Sequence, residues 1–345
     1  MPLLMSSQQR EAATMKFKAL GAIAGLLTFC AAALPLSATS TRAEGNFPTK
    51  PIRILVTNPP GGPNDVLARI MADHLYKALG QPVVVENKPG GNGNLAAETA
   101  AKAAPDGYTL LLGGASVLAT NRYLYKKLNY DQETDFAPVA FLGRAPLVLT
   151  VPANASPKTV AEFVALAKSK KPSLNHGTPG VGTTPHLAAE LLKLTAGFDS
   201  QMISYRGTAA IADAMQKNEI DFSFEAINSA KPQHLAGKVR ALVVSSSDPW
   251  PLFPGVPGMK DAGFPNIDVY AWFAIVAPAQ TPKEIVDKLG QEITAAMNSP
   301  EGVKRLETVG MLPLPMTPAQ TGAFINEEAK RWRATIAEAK IQPAE

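Results

Sequence analysis

Of the 345 residues, one is cysteine and four are histidine. The cysteine, Cys30, stands inside an N-terminal apolar run. Beyond that run the chain has no thiol for a disulfide or a cysteine-ligated metal. About 300 residues can bury a sufficient core without cross-links, most readily as two domains. No His-Glu-x-x-His motif occurs, and no Gly-Lys-Ser/Thr ending follows a glycine-rich turn. Zinc-protease and phosphate-loop chemistry therefore have no sequence support. Ser116 lies in Gly-Gly-Ala-Ser-Val rather than Gly-x-Ser-x-Gly, and no dinucleotide fingerprint follows the first strand. After Leu36, no stretch is apolar for long enough to span a bilayer.

A strong charge excess is also missing. The pI of about 9.0 suggests a basic protein. Yet four of the 33 basic residues and one of the 29 acidic ones lie within residues 1–43, leaving 29 against 28. That balance excludes the electrostatic footprint of a nucleic-acid binder. Residues 1–43 read as a secretory leader. Lys16 and Lys18 precede the charge-free run Ala19–Leu36, and Thr41-Arg42-Ala43 offers a small-residue cleavage point. Met15 is a better start than Met1 for such a leader. The bulky Phe29 before Cys30 argues against a lipid-anchored cysteine. Processing after Ala43 would place the protein in the periplasm.

What is present is a series of strand–loop–helix junctions. Ile52–Val56 predicts a buried strand, and Val66–Leu79 keeps helical spacing of apolar residues. Between them lies Asn58-Pro59-Pro60-Gly61-Gly62-Pro63-Asn64-Asp65. A Gly/Pro loop that opens a helix presents free N–H groups at the positive end of the helix dipole. Such a junction binds anions without a basic side chain. Asn64 or Asp65 is expected to cap the helix, although Asp65 puts a negative charge into an anion site.

Further along, Val83–Val85, a helix over Asn94–Ala104 and a strand over Tyr108–Leu112 complete a βαβαβ order. That order argues for a largely parallel, doubly wound sheet. Ser156-Pro157 is expected to open a helix ending near Lys168. A second βα series uses Leu174–His176, Thr184–Thr195, Met202–Ser204, Thr208–Lys217 and Ile220–Phe224, with Val239–Val244 as another strand. Two series imply two lobes: residues 44–146 plus 270–345, and residues 147–269. The chain is expected to cross at about Arg144–Leu147 and to return at about Asp268–Trp272. In the second series, the loop between Thr178 and His186 and the turn Tyr205-Arg206-Gly207-Thr208 repeat the logic of the first junction. His176, His186 and Glu190 are the only grouping that suggests a metal, and the pattern does not support one.

Taken in order, these junctions resemble the periplasmic solute-binding proteins of tripartite tricarboxylate transporters, the Bug or TctC family. The landmarks are Phe47-Pro48-Thr49-Lys50-Pro51-Ile52-Arg53, Pro59–Asp65, Glu86-Asn87-Lys88-Pro89-Gly90 and Ala104-Pro105-Asp106-Gly107-Tyr108-Thr109-Leu110. Asp135-Phe136-Ala137-Pro138, Tyr205-Arg206-Gly207 and Ala277-Pro278-Ala279-Gln280-Thr281-Pro282 follow. The resemblance implies an α/β fold of the type II periplasmic binding protein kind, with two doubly wound lobes joined by two crossover segments. It implies a monomeric, cofactor-free binding protein rather than an enzyme, which holds a small carboxylate solute and serves membrane transporter subunits. By matching position, ligand contacts would fall at Gly61, Gly62, Pro63, Asn64, Asp65 and Ser116 in one lobe. In the other they would fall at Thr178, Thr183, Tyr205, Gly207 and Thr208. His176, Asn64 and Glu225 depart from the family pattern near the expected cleft. An exported enzyme acting on small acids or esters, and a receptor feeding a membrane sensor, are the alternatives.

Overall fold

The strand Ile52–Val56 (β1) buries its four apolar residues and leaves only Arg53 partly exposed. Around it, the computed structural model describes residues 47–343. The leader, its cleavage point and Met15 lie outside them. Helix α1 (Pro63–Leu79) follows β1 and stops at Gly80, whose left-handed φ of 70° closes the last turn. Then come β2 (Val83–Asn87), α2 (Asn94–Ala101) and β3 (Thr109–Gly114). β3 runs into a π-helical turn, Ser116–Thr120, continued by the short helix Asn121–Leu124.

Strand β4 (Phe136–Pro152) is 17 residues long. It is followed by α3 (Val160–Ser169), β5 (Leu174–Thr178), α4 (Thr184–Ala196), β6 (Ser200–Ser204) and α5 (Thr208–Gln216). Next are β7 (Phe222–Ala226), α6 (Ile227–Leu235), β8 (Val239–Val244) and β9 (Tyr270–Pro278). Three helices end the chain: α7 (Lys283–Asn298), α8 (Pro300–Thr308) and α9 (Pro318–Glu338).

Two sheets result, and both are mixed. The first has the order β2-β1-β3-β9-β4, with β1 parallel to β2 and β3, and β9 antiparallel to β3 and β4. The second has the order β6-β5-β7-β4-β8, with β5 parallel to β6 and β7, and β4 antiparallel to β7 and β8. β4 belongs to both. It pairs with β9 as far as Pro146 opposite Tyr270, and with β7 from Leu147 opposite Ala226. Each sheet with its helices makes one lobe of an α/β fold.

The expectation of a largely parallel sheet therefore holds for β1–β3 and β5–β7 and fails where β4 and β9 enter. Residues Arg144–Leu147, where the chain is expected to cross, lie inside strand β4. Arg144–Pro146 pair with β9 and Leu147 with β7, so the connection carries sheet hydrogen bonds. Ser156 does not cap α3. Arg240 holds the carbonyls of Ala153, Ala155 and Pro157, which keeps that segment out of helix. The cap is Thr159, whose Oγ1 accepts the Glu162 N–H at 3.2 Å. α1 starts at Pro63, three residues before the apolar spacing signals it, because proline at the first position needs no N–H partner.

The C-terminal portion ties the lobes together. α9 packs on β4, on the Ser116–Thr120 turn and on α4. After α8, Leu312 forms a bridge with Arg144 through N–H···O contacts of 3.1 and 3.2 Å. Beside it the Trp250 indole N–H donates to the Gly310 carbonyl at 3.1 Å.

Candidate functional site

The first loop shows how Asp65 is accommodated. Gly62 is the N-cap of α1 and makes no side-chain cap; Asn64 and Asp65 lie inside the first turn, both buried. The Asp65 carboxylate accepts the Gly61 N–H at 3.0 Å and a two-pronged grip from Arg69, each bond 3.0 Å. Hydrogen bonding from Arg69 holds it below the usual carboxylate range. Its charge is thus matched within one helical turn and does not oppose an incoming anion. Asn64 donates to the Thr57 hydroxyl and to Asn58 Oδ1 at 3.1 and 2.9 Å, stiffening the loop instead of capping it. The N–H groups of Gly62, Asn64 and Asp65 have no partner among the described residues. Gly61 has already used its own.

β3 lies next to β1, so its outgoing turn shares this sheet edge. Ser116 opens the turn, half-buried. A third loop, Gly91–Gly93, packs against both. A Cβ at Gly93 would stand 2.8 Å from Val117 Cγ1 and 2.9 Å from Thr57 Cβ. Behind it runs a half-buried amide chain: Asn92 Nδ2 to Asn121 Oδ1 (3.0 Å), and Asn121 Nδ2 to Asn94 Oδ1 (2.6 Å). The Tyr130 hydroxyl completes it by donating to Asn94 Oδ1 at 2.9 Å.

In the second lobe, Thr178 is buried at the end of β5, and its hydroxyl lies 3.2 Å from that of Thr183. Thr183 is the N-cap of α4 by position, but its hydroxyl donates to the Gly180 carbonyl at 2.8 Å instead of capping. The first-turn N–H groups of α4 therefore have no side-chain cap. The Tyr205 N–H donates to the Thr178 carbonyl at 2.9 Å, so these loops also form one surface. Gly207 is the N-cap of α5 with φ 91°, and Thr208 begins that helix in the open. Arg206 is exposed.

The two loop sets meet at Gly182. A Cβ there would stand 2.0 Å from Leu124 Cδ1, and the Thr120 hydroxyl donates to the Gly182 carbonyl at 3.4 Å. Asn92, Thr120 and Leu124 are contributors the sequence did not single out. Asn121, the partner of Asn92, lies 29 positions along the chain and Gly182, the partner of Thr120, lies 62 positions along, beyond any local pattern.

With this geometry, the comparisons with known proteins decide the family. The profile described as tripartite tricarboxylate transporter family receptor matches residues 67–341. The chain belongs to that receptor family. Protein BugT of Bordetella pertussis is 34% identical over 293 residues, covering 85% of this chain and 90% of the relative. A Rhodopseudomonas palustris protein solved with adipate has a TM-score of 0.79 at 32% identity, covering 86% of this chain and all of that one. MatC of the same organism, solved with bound malate, has a TM-score of 0.75 at 32% identity, covering 84% of this chain and all of that one. The periplasmic binding protein BugD gives 0.76 at 28% identity, covering 86% of this chain and all of BugD.

The three departures of this receptor from the family pattern are all buried. His176 is on β5 inside the second lobe, its Nδ1 2.9 Å from the Ser200 hydroxyl and its ring against Phe222. Glu225 sits where α6 meets β7, accepting from the Thr150 and Ser229 hydroxyls at 2.7 and 3.2 Å; burial raises its pKa. Asn64 serves its own loop. None of them offers an open side chain to a ligand.

A metal does not fit the His176–His186–Glu190 group. Each histidine Nε2 is 3.9 Å from Glu190 Oε1, and the Lys193 ammonium already holds that oxygen at 3.0 Å. Among the described residues, no group of three histidine, cysteine or acidic side chains is placed to bind a metal ion. A surface groove of about 590 Å³ between α7 and the Pro315–Gln320 segment contains none of the candidate site residues.

Proposed function

We propose that this receptor works outside the cytoplasm, capturing a small carboxylate solute between its lobes and presenting it to the membrane subunits of a tripartite tricarboxylate-type transporter. One observation carries the reading. Uncapped helix N-termini stand on both lobes, at Gly62–Asp65 and at Thr183–His186, and the loop before the second of them meets Thr120 and Leu124 of the first lobe at Gly182. The only acid in the first cradle is neutralised by Arg69. Each charge-assisted hydrogen bond from such N–H groups to a carboxylate is worth ~1.5–3 kcal/mol net. Contacts from both lobes then favour the closed arrangement by their differential affinity. The adipate and malate complexes of two relatives support a carboxylate, and the leader-like residues 1–43 support export. No chemistry on the solute is required.

The test is a thermal-shift and calorimetry panel with adipate, malate, aromatic acids and amino acids, followed by mass analysis of the recovered solute. A true ligand should stabilise the fold by about 2.7 kcal/mol at a hundredfold excess over its Kd. It should also return unchanged. Conversion of the solute would establish an enzyme instead. Binding without uptake by the membrane subunits would favour a sensor partner.

A further inference from the structure

The loop from Pro179 to Thr183 needs something to order it. It carries Gly180 at φ 152° and Gly182 at φ 75°, and glycine in these regions has the most backbone freedom to lose. Two side chains from opposite lobes grip one residue of it. On its own lobe, the buried His186 ring accepts the Gly182 N–H at Nδ1, 3.0 Å away. Across the lobes, the Thr120 hydroxyl lies 3.4 Å from the Gly182 carbonyl and also 3.4 Å from the Ser116 carbonyl of its own turn, so one proton is shared between the two, and Leu124 covers the Cα. Thr120 is itself fully buried, at the end of the turn that Ser116 opens.

We propose that Gly182 is the latch of the closed receptor and that His186 is its positioning residue. His186 holds the N–H so that the carbonyl and the bare Cα are aimed at Thr120 and Leu124. This inference rests on the two-lobe capture reading above and adds the residues that set its off-rate.

The role has a chemical requirement. To accept from Gly182, Nδ1 must carry a lone pair, so the ring proton sits on Nε2, the nitrogen that faces Glu190 Oε1 at 3.9 Å. The parallel His176 ring, 6.4 Å away at 10°, packs against the same imidazole and fixes its plane. Any replacement that keeps an acceptor at that point should keep the latch. One that keeps only bulk should lose it.

The experiment places spin labels on the two lobes through Lys77→Cys and Lys168→Cys, both exposed, with Cys30→Ser to leave no other thiol. Interlobe distances are measured with and without adipate, and the adipate off-rate is measured by displacement. The variants are His186→Phe, His186→Asn and Thr120→Val. His186→Phe should shrink the closed population and speed release tenfold or more. His186→Asn, whose amide oxygen stands one bond from Cγ as Nδ1 does and can accept there, should restore both to within about threefold of the parent. Thr120→Val should behave like His186→Phe, and it tests the latch from the other lobe if His186→Phe folds poorly. A purely structural role for His186 would lower thermal stability and leave the distances and the off-rate unchanged, which would overturn the proposal. If the parent closes on no carboxylate, the capture reading fails separately. The latch is then judged on ligand-free distances, and identical distributions in parent and His186→Phe would refute it.

Discussion

Gly182→Ala isolates lobe closure from folding. The substitution has two costs, and they fall on different states. The left-handed backbone at φ 75° penalises any L side chain by ~1–2 kcal/mol, in open and closed forms alike. The second cost exists only when the lobes are together. The new methyl would stand 2.0 Å from Leu124 Cδ1, against an ordinary contact of about 3.5–4 Å. Leu124 is 1% exposed and packed in the main core, so it has little room to swing aside. Overpacking of this kind costs about 1–3 kcal/mol. Charged to the closed form alone, it raises Kd roughly 5- to 150-fold. Titration calorimetry with a bound carboxylate reads that change. The decisive arm is Leu124→Ala/Gly182→Ala, which removes the clash but keeps the backbone strain. Affinity should recover in the double variant although the fold is less stable than in either single one. If Gly182→Ala binds like the parent, or if the second substitution rescues nothing, then the arrangement with Gly182 against Leu124 is not the ligand-binding one.

Gly62→Ala should fold normally, since Gly62 has φ −79° and its added Cβ meets only the Pro59 carbonyl at 3.7 Å. A tenfold or greater loss of affinity would then report blocked approach to the Gly62 N–H, whereas exposed Arg206 replaced by alanine should matter little; unchanged binding by Gly62→Ala would remove the cradle from the first lobe. Burial, with Lys193 second, lowers the pKa of His176 to about 3 and of His186 to about 4. Both stay neutral in the fold but protonate near pH 6.5 when unfolded, so their contribution is complete above that pH and is lost as pH falls toward 4 and 3, by about 3 kcal/mol for each at pH 4. Denaturant titrations from pH 7.5 to 4 should show the decline, and His176→Phe should flatten its share of it. Gly310→Ala puts a Cβ 1.6 Å from Ile227 Cγ2 at φ 77° and should destabilise by about 2–4 kcal/mol; a loss under 1 kcal/mol in chemical denaturation would show that the segment joining α8 to the second lobe yields easily.

Local pattern determined much of this protein without any coordinates. β1 and β8 end where their apolar residues give way to Thr57 and Ser245; the one charged residue in each, Arg53 and Arg240, is only partly buried and finds a partner at the strand edge, Glu86 and the Ala153–Pro157 carbonyls. The order of the junctions, the helices they open and the family were equally legible. The Asp65–Arg69 pair was within reach too. Once Pro63 is taken as the first helical residue, the two stand four apart on one face.

Tertiary structure decided the rest. The sequence marks the crossing at Arg144–Leu147 but not that β4 runs on through both sheets, since Gly143, Arg144 and Pro146 read as a break and yet stay in strand where the 17 residues change partners. The family pattern placed His176 and Glu225 near the cleft, but the pleat turns both inward: alternate residues of a strand face opposite sides, and each of these found a pocket of hydroxyl partners. The meeting of Gly182 with Thr120 and Leu124 is decided only when two sheets close on each other. Contacts between lobes depend on how whole elements are stacked, and a sequence window sees only its own turn of helix or stretch of strand.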